Sequence, residues 1–206
     1  MSIRPRTVGF QPGERNVFLH ILTGCNLSCV HCYINPRQHG ENTLSTKTML
    51  DWIDIFADTE KGGNMIFLGG EPTLHKDLAL GVEHAKKRGF TVTVDTNGYL
   101  FNDILEKSSP EKLDYLSFSL DGPDAETNDS IRGNGVYEVC TRNIMKAGEL
   151  GYKVSLIYTV NNHNLSKLPE MIPLLKKLEV KKFFIQVIGL RGKSASTGGA
   201  TGDSNW

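Results

Sequence analysis

The chain has 206 residues with 23 basic and 23 acidic side chains, so no net field draws it toward nucleic acid or an anionic membrane. Its longest apolar runs, residues 17–22 and 183–190, fall far short of the ~18 residues of a membrane span, and residues 1–6 are not followed by a signal core. The length suits one domain with a substantial core, and a cytoplasmic location is expected.

In chain order, a β-branched and aromatic run at 16–22 predicts the first strand, and a loop holding three of the four cysteines follows it. Met49, Ile53 and Phe56 recur at helical spacing behind a Ser45 cap. A second strand is expected at 65–68, then a helix through Leu78, Val82 and Ala85 that stops before Gly89. Strands at 91–95 and 115–120 precede a helix through Val136, Cys140, Ile144 and Ala147, ended by Gly151. A strand at 154–159 leads to a helix through Leu168, Ile172 and Leu175 after Asn164, its start blurred by Pro169 and Pro173, and a last strand is expected at 183–188.

These strands are too apolar on both faces for an alternating surface strand and predict burial in a parallel sheet. Strand and helix alternate throughout, and right-handed crossovers wind such a chain into an α/β fold: an open partial (β/α)6 barrel of parallel strands with outer helices. Function is then expected at the carboxyl ends of the strands. Residues 1–191 read as one core domain. The Gly/Ser/Thr-rich stretch 192–206 reads as a flexible tail or truncated linker, as in a fragment of something longer.

The loop after the first strand places Cys25, Cys29 and Cys32 in C-x3-C-x2-C spacing. Cysteines this clustered point to metal or redox chemistry in a reducing compartment, since a disulfide framework spreads them out. Extended, the segment reaches about 25 Å, so one shared metal site requires it to curl, and Gly24, Asn26 and Ser28 suit the turns. Three thiolates on a four-iron cube leave one iron open, as a catalytic metal needs. Zinc held with His31 or His20 competes, although no second ligand pair is present; an electron-transfer iron–sulfur module competes too, but lacks a fourth cysteine because Cys140 falls on an apolar helical stripe.

At this loop, and over roughly residues 16–190, the sequence resembles the radical S-adenosylmethionine (radical SAM) superfamily. Within it the pattern is most similar to the branch that modifies peptides or matures cofactors, whose members often add a C-terminal domain with auxiliary clusters (SPASM-associated). Gly69-Gly70-Glu71-Pro72 follows the second strand: glycines admit close backbone approach, and a carboxylate held before proline accepts from an ammonium. The resemblance assigns Gly69, Gly70 and Glu71 to the amino group of the methionine moiety. It assigns Ser119 and Arg132 to the carboxylate, for which a guanidinium is a natural bidentate partner. Asn97 in Thr96-Asn97-Gly98 offers a short polar side chain at the same edge. His31 falls where the family places an adenine contact, Tyr33 is the aromatic that frequently follows the third cysteine and is taken as a cofactor-binding residue, and Asn161 and Leu190 look like lesser ribose and adenine contacts.

What the resemblance implies is an oxidoreductase or maturase with a [4Fe–4S] cluster and S-adenosylmethionine. One electron would cleave the sulfonium to a 5′-deoxyadenosyl radical, which abstracts hydrogen from a peptide, a protein or a cofactor precursor. Flavodoxin or ferredoxin would supply the electron. The residues do not name the substrate.

Overall fold

Six apolar runs pair in their chain order, all parallel, so each strand lies beside its sequence neighbours. The computed structural model describes residues 15–57, 63–101, 103–189 and 191–198. The strands are β1 (Asn16–Leu22), β2 (Asn64–Gly69), β3 (Thr91–Thr96), β4 (Tyr115–Ser119), β5 (Val154–Val160) and β6 (Lys182–Val187). β1 and β6 do not pair with each other, so the sheet is a barrel left unclosed.

The crossovers carry α1 (Thr46–Ala57), α2 (Leu78–Lys87), α3 (Ile104–Lys107), α4 (Ala125–Arg132), α5 (Val136–Glu149) and α6 (Met171–Lys177). The Ser45 hydroxyl accepts from Thr48 N–H at 3.1 Å, which fixes the start of α1 as its sequence predicts. Near Pro169 the chain forms a 3-10 helix, Leu165–Glu170, and only then α6. The residue buried there is Met171, while Ile172, expected on the apolar stripe, is exposed.

Side-chain alternation divides the sheet into two surfaces. Outward-facing Leu19, Ile21, Phe67, Val92, Val94, Leu116, Phe118, Leu156 and Tyr158 pack beneath Met49, Ile53, Val82, Cys140 and Ile144 of the helices, forming one continuous core. Each fully buried side chain of this kind contributes about 1.5–3 kcal/mol. The inward-facing positions are far more polar than expected. Asn16, Thr93, Asp95, Ser117, Ser155 and Gln186 share the lumen wall with Phe18, Ile66 and Phe184 around a cavity of about 320 Å³. The strands are therefore apolar on one face only, and the alternation Thr91, Thr93, Asp95 is its trace in the sequence.

Two further elements depart from the expected pattern. α4 occupies a stretch for which the sequence predicts no element; Asp124 caps it, accepting from Thr127 N–H at 2.8 Å. After β6 the chain turns into α7 (Lys193–Gly198), within the stretch read as a tail. Residues 199–206 lie outside the described residues.

Candidate metal centre

The cysteine loop is anchored at its base because the returning chain runs back along the end of β1. Thr23 N–H donates to Asn42 O and Leu44 N–H to Ile21 O, both at 2.8 Å. From this base the loop is fastened on three sides.

The first side is the end of β2. Gly70 N–H donates to Leu22 O at 2.9 Å and Glu71 N–H to Gly24 O at 2.8 Å. A Cβ on Gly70 would stand 2.0 Å from Gly24 O, and one on Gly69 2.3 Å from Leu22 O, so only glycine fits either position. The backbone that these glycines admit belongs to the cysteine loop itself; the sequence reading had a ligand there. Glu71 is fully buried: its Oε1 accepts from the hydroxyls of Thr73 and Thr96, each at 2.7 Å, and its Oε2 from Asn97 N–H at 2.7 Å. Burial lifts its carboxyl above the usual range even against these donors. Asn97 in turn donates from Nδ2 to Asn26 Oδ1 at 2.8 Å and approaches Cys25 Sγ at 3.6 Å, so it braces the loop. The Tyr33 hydroxyl donates to Gly69 O at 2.7 Å, with the ring edge-on to His20.

On the second side, α4 delivers its last turn to the loop. Val30 N–H donates to Ile131 O at 2.9 Å. Arg132 is buried, not solvated, and its Nη2 lies 2.7 Å from Asp121 Oδ2, which also stands 2.9 Å from His31 Nε2. Asp121 is fully buried and accepts from Thr159 N–H at 2.7 Å through its other oxygen. Burial pushes its carboxyl upward, but the Arg132 guanidinium and the His31 ring outweigh that and leave it below the ordinary carboxylate range. His31, expected against adenine, therefore points its Nε2 at a carboxylate. Asp121 is the residue that sequence reasoning missed: Ser119-Leu120-Asp121-Gly122-Pro123 reads as turn chemistry, and only the fold brings Arg132 and His31 onto it.

The third side comes from beyond β6. Lys193 Nζ donates to Ser28 Oγ at 2.9 Å and Ser28 O at 3.2 Å, and Lys193 N–H donates to Cys32 O at 2.9 Å. The chain reaches this position through Gly192 at φ +57°, where a Cβ would meet Tyr33 backbone atoms at 2.4 Å. No local pattern in the sequence announces this contact.

The thiols thus held are not free nucleophiles. Burial pushes Cys25 up to about 11, with the Leu27 N–H opposing, and it raises Cys29 despite the nearby Arg132. Such thiols ionise when a metal compensates the charge. Among the described residues no three Cys, His, Asp or Glu side chains converge as closely as a single bound ion requires. Thiolates on separate corners of an iron–sulfur cube stand further apart. Cys140 is fully buried in the core beneath the sheet and cannot be a fourth ligand. At the same edge Arg132 Nε and Asn161 Nδ2 are buried donors with no partner among the described residues. Both can donate to a carboxylate or hydroxyl oxygen. Ser119 ends β4 on the lumen side, and Leu190 lies outside the described residues.

Residues 19–175 match the Radical SAM superfamily. The chain belongs to that superfamily. Its core is 35% identical over 176 residues to Fe-coproporphyrin III synthase of Methanosarcina barkeri, covering 82% of this chain and 43% of that protein. It is 32% identical over 161 residues to mycofactocin maturase MftC of Mycobacterium tuberculosis, covering 74% and 39%. Among solved structures, Streptococcus suis SuiB bound to precursor peptide SuiA superposes with a TM-score of 0.71 at 19% identity, over 86% of this chain and 40% of that one, which shows a shared fold. SuiB is also known bound to S-adenosylmethionine. The radical SAM chain described here spans less than half the length of these relatives. Superfamily membership brings the two cofactors that the resemblance implied, a [4Fe–4S] cluster and S-adenosylmethionine.

Proposed function

We propose that this chain performs the reductive cleavage of S-adenosylmethionine and uses the resulting 5′-deoxyadenosyl radical to remove a hydrogen atom from a peptide or a cofactor precursor. The observation that carries the reading is the fastening of Cys25, Cys29 and Cys32 on three sides, beside buried donors that lack partners. Cys25, Cys29 and Cys32 would hold the cluster, which when bound would supply the electron and, with three protein thiolates, one iron free to take the ligand.

The chain's own residues do the placing. Glu71, buried and held by Thr73, Thr96 and Asn97, fixes the Gly69-Gly70-Glu71 backbone that the ammonium would meet; Arg132 Nε, backed by Asp121, and Ser119 face the carboxylate; Asn161 Nδ2 serves the ribose. Gly69 and Gly70 set the distance between Glu71 and the loop, and Tyr33 and the backbone of His31 bound the adenine side. No side chain has to move a proton in the cleavage step.

The likeness to a mycofactocin maturase and to an Fe-coproporphyrin III synthase, and to a neighbour seen with a precursor peptide, supports a peptide or cofactor-precursor substrate. A reduced flavodoxin or ferredoxin is the proposed electron donor. The clustered thiols fit a reducing cytoplasm, and no helix among the described residues is long and apolar enough to cross a membrane. Protein reconstituted anaerobically with iron and sulfide, given S-adenosylmethionine and dithionite, should release 5′-deoxyadenosine. A preparation that carries about four irons per chain and releases none would refute the proposal.

A further inference from the structure

The lumen holds chemistry that the rim site does not use. Asp95, Ser117, Ser155 and Lys182 are successive register partners on β3, β4, β5 and β6, and all four line the cavity. They form one polar row. On one side runs the row Phe18, Ile66, Thr93, Tyr115, and on the other Ile157 pairs with Phe184.

Asp95 and Lys182 are the only charged side chains lining this cavity among the described residues. They do not neutralise each other, because three strand spacings, ~14 Å of sheet, separate their backbones. Neither forms an ion pair among the described residues. Lys182 Nζ reaches back over β4 instead and rests 4.0 Å from the centroid of the Tyr115 ring. Burial pushes Asp95 up to about 7, with the Ser117 hydroxyl opposing and the Glu71 charge adding to the rise. The Asp95 carboxyl, largely removed from water, costs free energy until a partner arrives, whereas Lys182 is exposed and offers its ammonium to an approaching carboxylate. The two hydroxyls between them offer donors and acceptors along the way.

We infer that this row is a binding subsite for a zwitterionic chain, whose cationic nitrogen meets Asp95 and whose carboxylate meets Lys182. A peptide segment with a basic side chain and a nearby carboxylate has this character. A purely anionic ligand does not: it would place like charge against Asp95. The inference deepens the proposed function, and rests on it only in taking the lumen as the place where substrate enters.

The test uses the full reconstituted chain without S-adenosylmethionine and three probes, 6-aminohexanoate, hexylamine and hexanoate, titrated by ligand-observed NMR. The wild type should bind 6-aminohexanoate about tenfold more tightly than either single-charge probe, the scale of one close charge pair across an interface. Asp95→Asn should erase the advantage over hexanoate and keep that over hexylamine; Lys182→Met should do the reverse. Equal affinity of the three probes for the wild type overturns the inference without recourse to variants. So does a variant that weakens all three alike while its melting temperature is unchanged. Release of 5′-deoxyadenosine from the same preparation reports separately: release without a zwitterion preference sinks the subsite alone, and preference without release sinks the radical reading alone.

Discussion

Replacing Asp95 by asparagine isolates the cost of keeping an acid in the lumen wall. An aspartate of a disordered chain titrates near 3.8, and burial pushes Asp95 up to about 7. The folded state thus holds this proton more tightly than the unfolded state does. The stabilising effect of protonated Asp95 is complete below about pH 4, declines as pH rises through the window from about 4 to 7, and is gone above it. The whole window corresponds to ~4 kcal/mol, and the part crossed between about pH 5 and about pH 8 to ~3 kcal/mol. Asparagine has nearly the same shape and can still accept from Ser117, so it removes the titration and little else. The stability of Asp95→Asn relative to wild type should therefore increase by up to ~3 kcal/mol from about pH 5 to about pH 8, or ~8 °C in Tm for a chain of this size. Urea or thermal unfolding of both proteins side by side under anaerobic conditions measures it, because all other titrations cancel in the difference. A difference that does not change with pH, or one that moves the other way, refutes the reasoning.

Arg132→Met should cost about 3–5 kcal/mol in urea unfolding, because Asp121 is left buried without its guanidinium. Asp121→Asn in that background should restore most of the loss; failure to do so would show that packing, not charge, was removed. Gly70→Ala should destabilise by ~3 kcal/mol, through a clash 2.0 Å from Gly24 O, and lower the iron bound per chain. Unchanged iron content would mean that the β2 end does not set the loop. Cys140→Ala should keep its iron and lose only ~1 kcal/mol, since its thiol is buried and pushed up to about 12, whereas serine at Cys25, Cys29 or Cys32 should abolish the cluster absorbance.

The strands were legible because a parallel sheet demands long apolar runs, and α2 and α5 because their stripes are buried along their whole length, while α1 buries Met49 and Ile53 and leaves Phe56 exposed. α4 was not, because Ala-Glu-Thr-Asn-Asp-Ser-Ile-Arg has no apolar period: it docks through Ile131 and a buried charge. The cysteines could be recognised from spacing alone. Their supports could not, because Asn97, Asp121 and Lys193 act on partners 71, 90 and 165 positions or so away in the chain, as Asn97 does on Asn26 and Lys193 on Ser28. The polar lumen left a readable alternation in β3, masked by the apolar residues on the opposite face.

The Lys193 contact has a consequence for biosynthesis. The three cysteines emerge early from the ribosome, yet the loop that carries them gains its last fastening only when the chain beyond β6 has been made and folded back over Ser28 and Cys32. A sheet whose first and last strands never pair is thereby clasped at its upper rim and left open below. Iron delivered during translation would meet an unfinished cradle, so durable cluster insertion belongs after synthesis of the core. The same clasp makes cluster retention a report on whether the far end of this sheet has docked.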